Sequence, residues 1–150
     1  MPTPTVLDTN VVVGLLDAQD VWNQRALDLR AALKAHDCEP VILDCVLAEA
    51  VSILARRTHE KRRAAQLEHL LDQLQGQFPS RSIVWLGPDW PKLYDEIVTL
   101  VKQSNGELNF NDALIALSCR LRGLQFIASF DSDFDNLPWL KRISQPADLP

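Results

Sequence analysis

The chain has 150 residues and a formal net charge of −5, with 15 Lys and Arg against 20 Asp and Glu. That length can bury one proper core, so residues 1–150 are expected to form a single domain. The acidic balance argues against broad nonspecific nucleic-acid binding, which draws on clustered positive charge, although cations bound in an acidic site and a local basic patch can substitute. No apolar run approaches the roughly 20 residues of a membrane span. The start, Met1-Pro2-Thr3-Pro4, lacks a basic region and a signal-type apolar core, so a cytoplasmic protein without membrane contact is expected. Cys38, Cys45 and Cys119 are an odd set without metal-type spacing and read as reduced packing thiols.

In chain order, the apolar run from Thr5 ends in Asp8-Thr9-Asn10 and suits a central parallel strand, buried on both faces. Val11–Leu16 reads as a short buried helix with Asp17 to Asp20 as its exit. Trp22, Ala26, Leu29 and Leu33 stripe a helix that ends near Ala35. His36–Pro40 is a break, and Val41-Ile42-Leu43 a second short strand. Asp44 then caps a helix expected to reach Arg57, with Leu47, Val51 and Leu54 on its core stripe. Glu60–Gln77 is a further helix, and Ser82–Leu86 a third strand. Asp89 caps a helix with Pro91 in its first turn. After a polar loop around Gly106, Asp112–Arg122 is a helix apolar nearly all round, closed by Gly123. Leu124–Ser129 is a fourth strand, and Lys141–Ser144 a candidate edge strand. Strands alternating with helices make an α/β fold, a parallel sheet covered on both faces.

In such sheets ligands sit beyond the carboxyl ends of the strands. Four carboxylates fall at equivalent places there: Asp8 after strand one, Glu49 in the helix after strand two, Asp112 at a helix start and Asp131 after strand four. Each has a local account too, because Asp caps helices and forms turns. Glu49 resists it best, since Val46, Ala50 and Ile53 lie on or beside its helical face. A carboxylate among apolar neighbours is expensive to bury without a partner. No Lys or Arg adjoins any of the four in sequence, so cations are the natural relief for their repulsion. All-oxygen ligands suit Mg²⁺ or Mn²⁺, as one or two ions, whereas zinc calls for His or Cys.

These residues resemble a family. Asp8-Thr9-Asn10, Leu47-Ala48-Glu49, Asn111–Ala116 and Ser129–Phe134 look like the four acidic motifs of PIN-domain ribonucleases, especially VapC-type toxins of toxin–antitoxin pairs. The resemblance implies a three-layer α/β/α sandwich around a parallel sheet of four to five strands. It also implies Mg²⁺- or Mn²⁺-dependent endonucleolytic cleavage of RNA. By position, Asp8, Glu49, Asp112 and Asp131 match the catalytic and metal-holding acids, and because the family's fourth motif varies, Asp133 is the alternative to Asp131 as its metal contact. Thr9 and Asn10 complete the first motif, and Ser129 matches a Ser or Thr that orients a carboxylate or a water. A homodimer and a small antitoxin partner are implied as well.

The basic run Arg56-Arg57-Thr58-His59-Glu60-Lys61-Arg62-Arg63 has two readings: an RNA-backbone contact through Arg56, Arg57, Lys61 and Arg62, or a solvated helix–helix junction. Trp22, Trp85, Trp90 and Trp139 read as core packing ahead of base stacking. Three further functions compete with a toxin nuclease. One is an RNA-processing nuclease of the same family that is not a toxin. Another is a Mg²⁺-binding phospho-receiver module, which wants a second acid beside Asp8 and a Lys after a late strand. The third is a partner-binding scaffold without catalysis.

Overall fold

The computed structural model describes residues 1–150. Five strands form one parallel sheet: β1 (Thr3–Leu7), β2 (Cys38–Leu43), β3 (Ile83–Val84), β4 (Phe126–Ala128) and β5 (Lys141–Ile143), in the order β3-β2-β1-β4-β5. Six helices flank it: α1 (Thr9–Leu16), α2 (Asn23–Ala35), α3 (Asp44–Glu60), α4 (Ala64–Gln77), α5 (Trp90–Gln103) and α6 (Phe110–Arg122). The first two crossovers step the sheet one way and the third returns across it. With right-handed connections, that puts α1–α4 on one face and α5–α6 on the other. Accordingly α1 packs on α2 and α3, α3 on α4, and α5 on α6. This is the expected α/β/α sandwich with five strands.

The core is the apolar register of these elements. Val6, Leu43 and Ile127 from neighbouring strands are fully buried, as are Leu114, Ile115 and Ala116 of α6. All three cysteines are free and buried. Burial pushes the Cys45 and Cys119 thiols up to about 12, which keeps them inert. No helix is long and apolar enough to cross a membrane.

Several boundaries differ from the sequence expectation, each for a local reason. Strand β2 begins at Cys38, through the expected break, and Pro40 pairs in register with Thr5. Proline is tolerated because β3 pairs only with Ile42 and Leu43, which leaves β2 without an outer neighbour at Pro40. Strand β3 keeps two residues of the expected five. A 3₁₀ turn takes Ser80–Ser82, and the Leu86 amide donates to Asp44 Oδ2 at 2.8 Å. Asp44 is therefore inside the first turn of α3, not its cap. Helix α3 runs on to Glu60 and α4 starts only at Ala64. Between them Arg62 sits in the left-handed region (φ 54°), with Arg63 N donating to Thr58 O and Arg62 N to His59 O. That is a Schellman ending built on arginine instead of glycine. Helix α6 starts two residues early because Asn109, not a residue of the acidic motif, caps it. Gly123 ends it at φ 67°, as expected.

The order 3-2-1-4-5 is not the 2-1-3-4-5 winding of receiver domains, so the phospho-receiver reading loses its scaffold. The winding reverses between β1 and β4, and a doubly wound sheet opens its ligand crevice beyond the strand ends at that point.

Candidate active site

Asp8 leaves β1 at the reversal and Ser129 leaves β4 beside it. Asp8 is 5% exposed, and each of its oxygens has a donor. Oδ1 accepts from the Thr9 amide at 2.7 Å, the cap of α1. Oδ2 accepts from the Ser129 hydroxyl at 2.6 Å. Ser129 Oγ in turn accepts from the Asp131 amide at 3.0 Å and from Asn10 Nδ2 at 3.4 Å. Two incoming donors leave the hydroxyl proton a single direction, toward Asp8. Asn10 Oδ1 accepts from the Phe130 amide at 3.2 Å, so the Asn10 side chain staples the exit of β4 to α1.

The other acids come from three further elements. Glu49, in the second turn of α3, accepts through Oε2 from Thr9 Oγ1 at 3.0 Å and from Asn111 Nδ2 at 3.3 Å. Those two bonds tie α1, α3 and α6 together. Asp112 stands in the first turn of α6, where its Oδ2 accepts from the Asn109 amide in a capping box. Asp131 opens the 3₁₀ turn Ser132–Asn136 and accepts from the Asp133 amide through Oδ1.

Capping and convergence therefore coexist. Each aspartate uses one oxygen to hold a helix or turn start. Asp112 Oδ1, Asp131 Oδ2 and Glu49 Oε1 are left without a protein donor. None of the four acids is in an ion pair, whereas Asp17, Asp20, Asp89, Glu96 and Asp135 are.

Electrostatics report the crowding. Burial pushes the Asp8 carboxyl up from 3.8 to about 7, with the charges of Asp112 and Glu49 adding to it and the Ser129 and Thr9 bonds opposing. Burial also lifts Asp112 to about 6; the Asn109 amide opposes, and Asp131, Glu49 and Asp133 add their repulsion. Asp133 is raised by partial desolvation first and by Asp131 second, with Glu107 of the α5–α6 loop contributing. Glu107 is an acid of this edge with no signal in the sequence, because it lies in a loop that merely looked polar.

The acids are neighbours in charge, yet no three of them close up into a ready ligand group. The donor set still fits a hard divalent cation: oxygen ligands only, free carboxylate oxygens, mutual repulsion and none of these acids in an ion pair, since Arg142, whose Nη1 donates to Ser129 O at 3.2 Å, is bound to Asp135. Zinc finds no His or Cys here.

The basic run divides. Arg57 pairs with Asp20, and Arg63 grips Asp17 through both terminal nitrogens at 3.3 and 3.2 Å. Those two arginines make a helix junction. Arg56, Lys61 and Arg62 are exposed and without carboxylate partners. The tryptophans divide as well. Trp139 is anchored, its Nε1 donating to Ala116 O at 2.8 Å, but Trp85 and Trp90 are 58% and 42% exposed and are not core.

Residues 5–140 match the sequence model of the family described as PIN domain. The chain belongs to the PIN domain family. Among solved structures, this PIN domain is similar to VapC20 of Mycobacterium tuberculosis, a toxin that cleaves the sarcin–ricin loop. The TM-score is 0.66 at 20% identity, over 91% of this chain and 96% of that one. It is also similar to VapBC2 of Rickettsia felis, bound to a DNA fragment from their promoter, with a TM-score of 0.62 at 19% identity, over 94% and 98%. At such identities the likeness speaks for the fold. Comparison with curated proteins gives no match.

Proposed function

We propose that this PIN domain is a divalent-cation-dependent endoribonuclease and the toxin of a toxin–antitoxin pair. One observation carries the reading: four carboxylates from four elements gather where the sheet reverses, buried or half-buried and none of them in an ion pair, while Arg142, the cation nearest Asp131, is taken up by Asp135. A fold keeps such a costly arrangement where function uses it.

Asp8, Asp112 and Asp131 would hold Mg²⁺ or Mn²⁺, as one or two ions, with Glu49 beside them and Asp133 as a further ligand. A cation bound there supplies charge against the phosphodiester and a more acidic water. The chain's own groups do the positioning. Ser129 fixes the rotamer of Asp8, and Thr9 and Asn111 fix Glu49 Oε2, which leaves Oε1 to accept a proton from an attacking water. The water is the nucleophile, so no covalent enzyme intermediate forms.

The toxin assignment draws on similarity to VapC20 and VapBC2. It adds a homodimer and an antitoxin as partners, and Arg56, Lys61 and Arg62 as contacts for the RNA backbone; Arg57 is committed to Asp20.

The test is incubation of purified protein with total RNA in Mg²⁺, Mn²⁺ or EDTA, beside the Asp8→Asn variant. Cleavage in metal, none in EDTA and none by Asp8→Asn is expected. Undiminished cleavage by Asp8→Asn refutes the assignment. Growth arrest on induced expression, relieved by Asp8→Asn, separates a toxin from an RNA-processing nuclease of the same family.

A further inference from the structure

Arg25, on the exposed side of the first turn of α2, is organised in a way the nuclease reading does not absorb. Its guanidinium carbon lies 4.9 Å from the ring centres of both Trp22 and Phe130. Those two rings stack on each other at 4.9 Å and 18°. Nη2 donates to Ser144 O at 3.2 Å, and the rest of the fork has no protein acceptor. Arg57, Arg63 and Arg142 are all committed to carboxylates; Arg25 has none.

Its place matters. Phe130 lies between Ser129 and Asp131, both of the acidic edge. Ser144 follows β5, whose Ile143 carbonyl accepts from the Ser129 amide at 3.1 Å. Strand ends of β1, β4 and β5 therefore lie side by side, and two strand spacings put Ser144 about 10 Å from Asp8. Trp22 is also joined to the basic run, because Asp20 accepts from the Trp22 amide and pairs with Arg57. A cation held over aromatic rings loses less side-chain freedom on binding than a free one, and its N–H fork matches a phosphate.

We propose that Arg25, cradled by Trp22 and Phe130, binds a backbone phosphate of single-stranded RNA beside the acidic site. The inference rests on the endoribonuclease reading. It makes Arg25 a substrate-positioning residue.

The test uses the full chain carrying Asp8→Asn, so that RNA survives, with a fluorescein-labelled oligouridine of roughly a dozen nucleotides. Anisotropy is titrated between about 50 and 200 mM KCl with Arg25 intact, Arg25→Gln and Arg25→Lys. Arg25→Gln is expected to flatten the log K against log salt slope by about 0.7, the value of one single-strand phosphate, and Arg25→Lys to retain it. In the active protein Arg25→Gln should raise KM several-fold and leave kcat unchanged. An unaltered slope in Arg25→Gln, or an equal loss in Arg25→Lys, overturns the proposal, and the second outcome marks a structural role. If the wild type cleaves RNA while Arg25→Gln behaves identically, this inference alone fails. If the wild type cleaves no RNA in either metal, the endoribonuclease reading fails with it.

Discussion

Ser129 Oγ donates to Asp8 Oδ2 at 2.6 Å, a bond that spans the two strand ends between which the sheet reverses its winding. A hydroxyl bonded to a carboxylate is at the strong end of protein hydrogen bonds, about 1.5–3 kcal/mol. Ser129→Ala removes it and strips the acceptor from Asp131 N and Asn10 Nδ2 together. RNA cleavage should fall by about 10- to 100-fold in kcat/KM, with a native circular dichroism spectrum. Ser129→Thr should recover most of it, since its hydroxyl can take the same place. An alanine variant as active as the wild type would show that Asp8 needs no orientation.

The raised carboxyl of Asp8 makes a stability prediction with a definite sign. Its folded-state value is about 7, against 3.8 when unfolded. Below pH 4 both states hold the proton and the group is neutral to folding. Between pH 4 and 7 the unfolded chain ionises first, so rising pH favours unfolding. Above pH 7 the penalty is constant, on the order of 4 kcal/mol. Asp112 acts in the same direction. Asp17, Asp135 and Asp148 are lowered, the first despite desolvation through its bonds to Arg63; their stabilisation is lost only as pH falls below the ordinary carboxylate range. Urea midpoints in EDTA should therefore decline from pH 4 to 7 in the wild type and decline less in Asp8→Asn. Parallel curves would refute the burial account of Asp8.

Cation binding should reverse that penalty. Neutralising the crowded acids stabilises only the folded state, by about 2.7 kcal/mol at a hundred times Kd. For 150 residues that is about 5–10 °C in the melting midpoint. Mn²⁺ should raise the midpoint of the wild type by that order and of Asp8→Asn by less than half as much. Because the cation competes with protons on Asp8 and Asp112, the shift should grow between pH 6 and 8. A shift equal in both proteins would place the cation elsewhere.

Asp8, Asp112 and Asp131 stand out in the sequence because each sits where a strand or helix boundary is announced by an apolar run, and Glu49 because Val46, Ala50 and Ile53 surround it on a helix. Their convergence rests on long-range pairing: Asp8 to Ser129 and Glu49 to Asn111 join residues 121 and 62 apart. Only the alternation of strands and helices pointed to it. What escaped were groups whose partners are distant and whose neighbourhood is plain. Asn109 caps α6 three residues before Asp112, the start that the apolar pattern suggests, and Asp44 spends its second oxygen on Leu86. Arg57 and Arg63 looked like a charge run because Asp20 and Asp17 lie 37 and 46 residues away. Helical or strand spacing points Trp85 and Trp90 to the core, but β3 ends before Trp85 and Trp90 opens α5 from the surface.

Arg63 and Asp17 should behave as a buried pair. Their side chains are 10% and 5% exposed, and Arg63 Nε is buried without a partner. Removing one member leaves an uncompensated buried charge, at about 3–5 kcal/mol. Arg63→Met should lower the urea-derived stability by that order. The double variant Arg63→Met with Asp17→Leu should regain much of it. A loss of under about 1 kcal/mol would class the pair with surface ion pairs.

Arg62 offers the opposite change. It occupies the left-handed position of a Schellman ending at φ 54°, where a side chain costs about 1 kcal/mol and glycine none. Arg62→Gly keeps the two closing bonds, Arg63 N to Thr58 O and Arg62 N to His59 O. The substitution should therefore stabilise the chain by up to about 1 kcal/mol, or about 2–4 °C. It should also flatten the salt dependence of RNA binding by about 0.7, because Arg62 is one of the exposed cations assigned to the backbone. Higher stability with an unchanged salt slope would confine Arg62 to the α3–α4 turn. Lower stability would mean that its side chain holds that turn through packing.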